Sequence, residues 1–159
     1  MIDTLRFELI DIADLAKELA VPIASISIGL DASGRASSLA LWRIDRSGIR
    51  INSVMKDVAE QFELPVLRLK RRQNDFDKGG VNIQLGDTPT TVSAVYQLVI
   101  EEDGHSAEAG LLLIGIPALR VTILPDSFPH SLAISGVPGF HVKSDPEWPF
   151  EAFKLVQIV

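Results

Sequence analysis

Residues 92–116 read VSAVYQLVIEEDGHSAEAGLLLIGI, with the pair Asp103-Gly104 between two long apolar runs. An Asp-Gly pair in this setting is a strong signal for a two-residue β-hairpin, because both central residues of the turn need a positive φ. A two-residue loop also fixes the register, so Glu102 should lie opposite His105. The stretch therefore predicts a long antiparallel hairpin.

The same register makes further predictions about the hairpin's faces. It pairs Val99 with Glu108 and Leu98 with Ala109, so the end near the turn is the more polar one. Residues 111–114 are all apolar. A strand without a polar face needs cover on both sides. We therefore expect this hairpin to be a central element of the core.

Other segments predict shorter elements. Residues 4–10 alternate as a strand does, and a helix begins at the N-cap residue Asp11 and ends before Pro22. Residues 26–30, 39–44 and 66–72 follow the period-2 pattern of strands. Residues 53–63 predict a second helix that Pro65 ends. Its cap would be Asn52 or Ser53, and its inner stripe would be Met55, Val58, Ala59 and Phe62.

These elements predict a single globular domain over residues 1–159. Its class is α+β, mostly antiparallel β-sheet of about seven to nine strands with two short helices. The alternative is an all-β sandwich or barrel with peripheral helices. The readable connections are hairpins, which argues against a doubly wound parallel sheet.

The composition excludes several classes of protein. The chain has no cysteine, so disulfide frameworks, thiolate metal sites and cysteine nucleophiles are excluded. No secretory signal is visible at the first residues. The longest uncharged apolar stretch, residues 109–119, has 11 residues, and a membrane-spanning helix needs about 20. We therefore expect an acidic, cytoplasmic protein without a membrane partner.

Sequence motifs for catalysis or cofactors are missing. His105, His130 and His141 are widely spaced and form no zinc motif. The chain has no GxSxG nucleophile elbow and no phosphate-binding glycine loop. The sequence thus predicts no catalytic residue, no metal and no cofactor, and it favours a protein without enzymatic activity.

Charge is distributed unevenly along the chain. Residues 35–78 hold ten basic and six acidic side chains, a net charge of +4, whereas the whole chain carries −6. Within this region the alternation of residues 66–72 places three of four neighbouring cations on one solvent face. These four cations are candidate partner-binding residues: Arg68, Lys70, Arg71 and Arg72. Protection of an edge strand by charge is the alternative.

The C-terminal fifth of the chain is rich in aromatic residues. Half of the ten aromatics lie in residues 128–159, and residues 147–153 read EWPFEAF. Trp and Phe are favoured anchors at interfaces. Trp148, Phe150 and Phe153 are therefore further candidates for partner binding, unless the segment caps the core of its own domain.

Together these observations predict a non-enzymatic interaction or assembly subunit, which binds another macromolecule through the basic strand and the aromatic segment. The expected partner is a protein or a second copy of the chain. Nucleic acid is less favoured, because the chain is acidic overall and few aromatics flank the basic strand. The alternatives are a small-ligand-binding β-barrel or sandwich, and an enzyme whose site assembles only in three dimensions.

Overall fold

The computed structural model describes residues 4–59, 62–73, 80–86, 88–116, 119–141 and 144–158. The protein is mainly β. Its strands are β1 (Thr4–Leu5), β2 (Ile23–Leu30), β3 (Ala36–Arg43), β4 (Ser47–Ala59), β5 (Phe62–Gln73), β6 (Val81–Gln84), β7 (Thr91–Glu102), β8 (His105–Ile116), β9 (Leu119–Pro125), β10 (Leu132–Ser135) and β11 (Lys154–Gln157).

Helical structure is scarce. The described ranges hold one α-helix, α1 (Ile12–Glu18), and a 3-10 turn at Phe150–Ala152. The helix predicted from Asp11 is confirmed: the Asp11 carboxylate caps it by accepting the Asp14 amide at 2.8 Å. No helix in these ranges has the length and apolar character that crossing a membrane requires.

The strands form two sheets. One has the order β10-β9-β8-β7-β11, with β1 beside β8, and the other has the order β5-β4-β3-β2-β6. Among these strands, β1 and β8 run parallel and the other neighbours run antiparallel. The predicted predominance of antiparallel sheet is confirmed, and the number of strands exceeds the expected seven to nine.

The central hairpin forms where the sequence predicts it. β7 and β8 join at Asp103 and Gly104, whose φ angles are 50° and 78°. Both values are positive, as the two-residue turn requires. Glu102 pairs with His105 as expected.

The hairpin's register departs from the prediction further along the strands. Val99 pairs with Glu108 as expected, but Leu98 pairs with Gly110 instead of Ala109. A β-bulge adds one residue to β8 at this point and moves the pairs from Leu98 to Ala94 by one position. A second irregularity, between Val92 and Ala94, restores the counted register, and Val92 pairs with Gly115. Counting outward from the turn therefore gives the correct partners up to the bulge and again at the far end of the hairpin.

The predicted second helix is wrong. Residues 53–59 belong to β4, and residues 62–63 begin β5. The two strands pair along their length, with Val54 opposite Val66 and Met55 opposite Pro65. Cross-strand hydrogen bonds satisfy the backbone here, and β5 tolerates Pro65 because it lies at the edge of its sheet. Pairing with the adjacent strand thus overrides the helical spacing of the apolar residues.

Two apolar clusters form the core. The first lies between the sheets and includes Ile51 of β4 and Leu111 of β8, with Leu15 of α1 packed into it. The second joins the far end of β5 to β7, β8 and β9, and contains Leu64 and Leu112. Neighbouring residues of β8 therefore enter different clusters, which confirms the predicted cover on both faces.

The N-terminal segment links the two sheets. β1 pairs with β8, and Glu8 forms a parallel bridge to Arg68 of β5. The Glu8 amide donates to the Leu67 carbonyl at 3.0 Å, and the Leu69 amide donates to the Glu8 carbonyl at 3.1 Å. These bonds cover part of the edge of β5, which an exposed edge strand needs to avoid pairing with other chains.

Candidate functional site

The outer face of the β4–β5 hairpin carries a cationic depression, which we name the basic groove. It is open, measures about 360 Å³, and is lined by the four cations Arg50, Arg68, Lys70 and Arg72. Asn52, Ser53 and His130 also line it. Three of the four cations come from the strand that the sequence singles out, and Arg50 joins them from the neighbouring strand.

Strand register explains why these cations meet. Arg50 lies directly opposite Lys70 in the β4–β5 ladder. Leu69 is fully buried beside exposed Lys70, so alternation turns the cations away from the core. Like charges directly opposite each other on neighbouring strands are destabilising. The register therefore brings cations from the two strands together on one face.

One carboxylate balances part of the positive charge at one end of the groove. Glu8 forms ion pairs with Arg68 at 2.9 Å and with Lys56. The hydrogen bond from Lys56, supported by that from Arg68, holds the pKa of Glu8 below its usual value. Lys70 forms no ion pair within the described ranges. Glu8 therefore balances part of the positive charge at the Arg68 end of the groove.

Arg71 points to the opposite side of β5. Its guanidinium donates to Glu18 at the end of α1, and Arg43 donates to the same carboxylate. Arg71 therefore helps to join α1 to β5 and does not line the basic groove. Its predicted role in partner binding gains no support from this position.

A loop holds His130 over the groove. Asp126 is buried, and its carboxylate accepts the Phe128 amide at 3.1 Å and the Asp145 amide at 2.9 Å. It also forms an ion pair with Arg35 at 3.4 Å. His130 has a φ of 67°, a value that non-glycine residues adopt chiefly in tight turns. The Asp126 hydrogen bonds fix the loop in which this turn lies.

The three aromatic residues predicted as anchors have different environments. Phe153 is 5% exposed and belongs to the second core cluster. Trp148 and Phe150 are half-buried against that cluster, and the rings of Trp148 and Phe153 meet edge to face at 6.2 Å. Phe153 thus packs within the protein, as the capping alternative expects, while Trp148 also faces a cleft.

This second depression, the acidic cleft, adjoins the basic groove. It measures about 370 Å³ and is lined by Phe62 and Trp148 together with the carboxylates of Glu63, Glu102 and Glu147. Ser53 and His130 line both depressions. The surface therefore places a positively charged and a negatively charged depression side by side.

Sequence reasoning missed most of the acidic cleft. Its carboxylates come from β5, from the end of β7 and from the loop before the 3-10 turn, so no local pattern unites them. Ser53 was not predicted as a lining residue, because the helical spacing of the residues after it predicts that it caps a helix. Ile49 and Ile51 alternate with Arg50 and Asn52, but Ser53 and Val54 break this alternation, so no local signal shows that β4 continues.

The three histidines have different surroundings. Within the described ranges, no group of three or more histidine, aspartate or glutamate side chains could hold a metal ion. His105 lies against the Phe62 ring, with the ring centres 5.7 Å apart. His130 lines the two depressions, and His141 lines a separate surface cleft.

Comparisons with known proteins identify no relative. The chain matches no protein-family model, no curated protein and no solved structure. Any functional interpretation therefore rests on the site's own chemistry.

Proposed function

We propose that the protein is a non-enzymatic binding module whose basic groove takes an acidic segment of another protein. The supporting observation is the alignment of Arg50, Arg68, Lys70 and Arg72 along one open face of two paired strands. Carboxylates accept charge-assisted hydrogen bonds from such cations. Complementary charge also speeds the encounter of partners.

A protein partner fits the groove better than a nucleic acid does. Proteins that bind single-stranded nucleic acid stack bases on aromatic side chains, and within the described ranges His130 is the one ring side chain lining the groove. The net charge of −6 repels a long polyanion. A short acidic segment can use the local positive charge and meets less of this repulsion.

A binding assay with a defined probe tests the proposal. The probe is a fluorescein-labelled peptide of alternating glutamate and serine, about ten residues long, which when extended exceeds the length of the groove. Its anisotropy is titrated with the protein at low and high salt. We expect saturable binding that weakens with salt, because the groove is open to solvent.

Two variants with equal charge changes locate the binding. Lys70→Glu/Arg72→Glu reverses two groove cations, while Arg120→Glu/Lys154→Glu reverses two exposed cations of the other sheet. We expect the first variant to lose about tenfold or more in affinity and the second to lose far less. Equal losses in the two variants, with folding verified by circular dichroism, would contradict the proposal. Tighter binding of a single-stranded oligonucleotide to the same groove would reassign it to nucleic acid.

A further inference from the structure

We propose that the acidic segment binds as an added strand at the open edge of β5, parallel to β5, with its carboxylates directed at Lys70 and Arg72. This inference rests on the proposed function and specifies how the partner is held. Main-chain hydrogen bonds then supplement the ion pairs, and the bound segment is extended. Strand addition of this kind is a recurring mode of peptide recognition.

Glu8 shows how an acidic residue docks on this edge. It pairs with Arg68 in a parallel bridge. Its amide donates to the Leu67 carbonyl at 3.0 Å, and its carbonyl accepts the Leu69 amide at 3.1 Å. The two paired side chains lie on the same face, where the Glu8 carboxylate meets the Arg68 guanidinium at 2.9 Å. One residue of this chain thus combines main-chain pairing with recognition of a groove cation.

The edge of β5 is open beyond this bridge. β5 lies at the end of its sheet, and within the described ranges Glu8 supplies the pairing on its outer side. Successive residues of a strand point their backbone groups to opposite sides. The Leu69 carbonyl and both backbone groups of Arg71 therefore face outward, on the side where Glu8 bonds Leu67. No backbone hydrogen bond between described residues engages these three groups, so they remain for an added strand.

Continuing the Glu8 arrangement along β5 defines the contacts of the partner. A partner residue opposite Lys70 donates its amide to the Leu69 carbonyl and accepts the Arg71 amide. The partner residue two positions later lies opposite Arg72 and donates its amide to the Arg71 carbonyl. Both partner side chains then point to the face that carries Lys70 and Arg72. The edge therefore favours an extended segment with carboxylates at alternate positions.

N-methylated peptides test the inference. The glutamate-serine peptide is compared with one that is N-methylated at every glutamate and one that is N-methylated at every serine, all labelled with fluorescein. In the parallel arrangement the glutamate amides face β5 and the serine amides face solvent. We expect glutamate methylation to weaken binding about tenfold or more, and serine methylation to weaken it by less than about twofold.

The outcomes separate this inference from the proposed function. Equal effects of the two methylations, or a larger loss from serine methylation, would overturn the parallel strand addition and leave the proposed function standing. Failure of the unmodified peptide to bind would overturn both.

Two variants at Arg71 test the same hydrogen bonds from the protein side. Arg71→Pro removes the outward amide, whereas Arg71→Ala keeps it, and both remove the ion pair with Glu18. Pro65 lies on the same side of β5, so an edge position of this strand accommodates proline. We expect Arg71→Pro to bind the peptide about fivefold more weakly than Arg71→Ala does. Equal affinities of the two variants, both folded by circular dichroism, would overturn the inference; if Arg71→Pro does not fold, the methylated peptides decide.

Discussion

The two long hairpins of the molecule have strands of similar length but different surroundings. β7 and β8 lie inside their sheet, and β8 sends Leu111 to one core cluster and Leu112 to the other. β4 and β5 end at the edge of the second sheet, where one face of each strand carries cations. The first hairpin therefore contributes to both core clusters, and the second carries the surface that we propose for binding.

The strongest test of this division is a cavity in the central hairpin. Leu111→Ala removes a fully buried side chain from the first cluster. We expect a loss of about 2–5 kcal/mol in the free energy of unfolding, measured by urea denaturation. Ile116→Ala, at the exposed end of the same strand, should cost far less. Similar losses would show that β8 is not buried as described.

A smaller effect is expected at the turn of the central hairpin. Gly104 has a φ of 78°, and an added Cβ would meet no atom within 4 Å. Gly104→Ala should therefore cost about 1–2 kcal/mol through backbone strain alone. Asp103→Asn should be tolerated, since asparagine also adopts a positive φ readily. A neutral Gly104→Ala would mean that the turn differs in solution.

Glu18 of α1, which bonds to Arg71 of the edge hairpin and to Arg43 of β3, should make a pH-dependent contribution to the free energy of unfolding. Burial acts to raise the pKa of this carboxyl, but hydrogen bonds from Arg43 and Arg71 outweigh it and hold the pKa below its usual value. These bonds therefore stabilise the protein above the unfolded-state pKa, and their contribution is lost as the pH falls through the folded-state pKa.

Glu18→Gln tests this contribution in urea titrations from neutral pH to about pH 3. The variant should be less stable than the wild type at neutral pH, and the difference should shrink on acidification. A difference that stays constant with pH would assign the effect of the substitution to packing instead of charge.

The smallest effect on stability is expected in the basic groove. Lys70 is exposed and lies opposite Arg50, so Lys70→Glu should change the free energy of unfolding by less than about 0.5 kcal/mol. The same substitution should weaken binding of the acidic peptide. A loss of stability comparable to that of Leu111→Ala would remove the distinction between the two hairpins.

The fold could be predicted from the sequence where local patterns suffice. Asp103-Gly104 identified one hairpin, and Asp11 identified the start of α1. The expected helix over residues 53–63 was wrong because pairing between β4 and the adjacent strand β5 overrides the helical spacing of the apolar residues. The bulge beside Leu98 also escaped prediction, since it depends on how β8 fits its neighbours.

The sequence predicts the candidate site only where local patterns suffice, as it does the fold. Alternation along residues 66–72 is enough to predict that Arg68, Lys70 and Arg72 share one face. Their association with Arg50 depends on the β4–β5 register, which no local pattern specifies. The acidic cleft could not be foreseen, because Glu63 and Glu147 come from distant parts of the chain.

The sequence by itself determined which strand faces are apolar, where the central turn forms and which strand carries the cations. These properties depend on neighbouring residues and on the φ that each turn position requires. Tertiary structure alone decided that residues 53–59 form a strand, and that Ser53 and His130 lie between a basic groove and an acidic cleft. Pairing with the adjacent strand β5 decides the first feature, and the second arises where β4 meets the distant loop that holds His130.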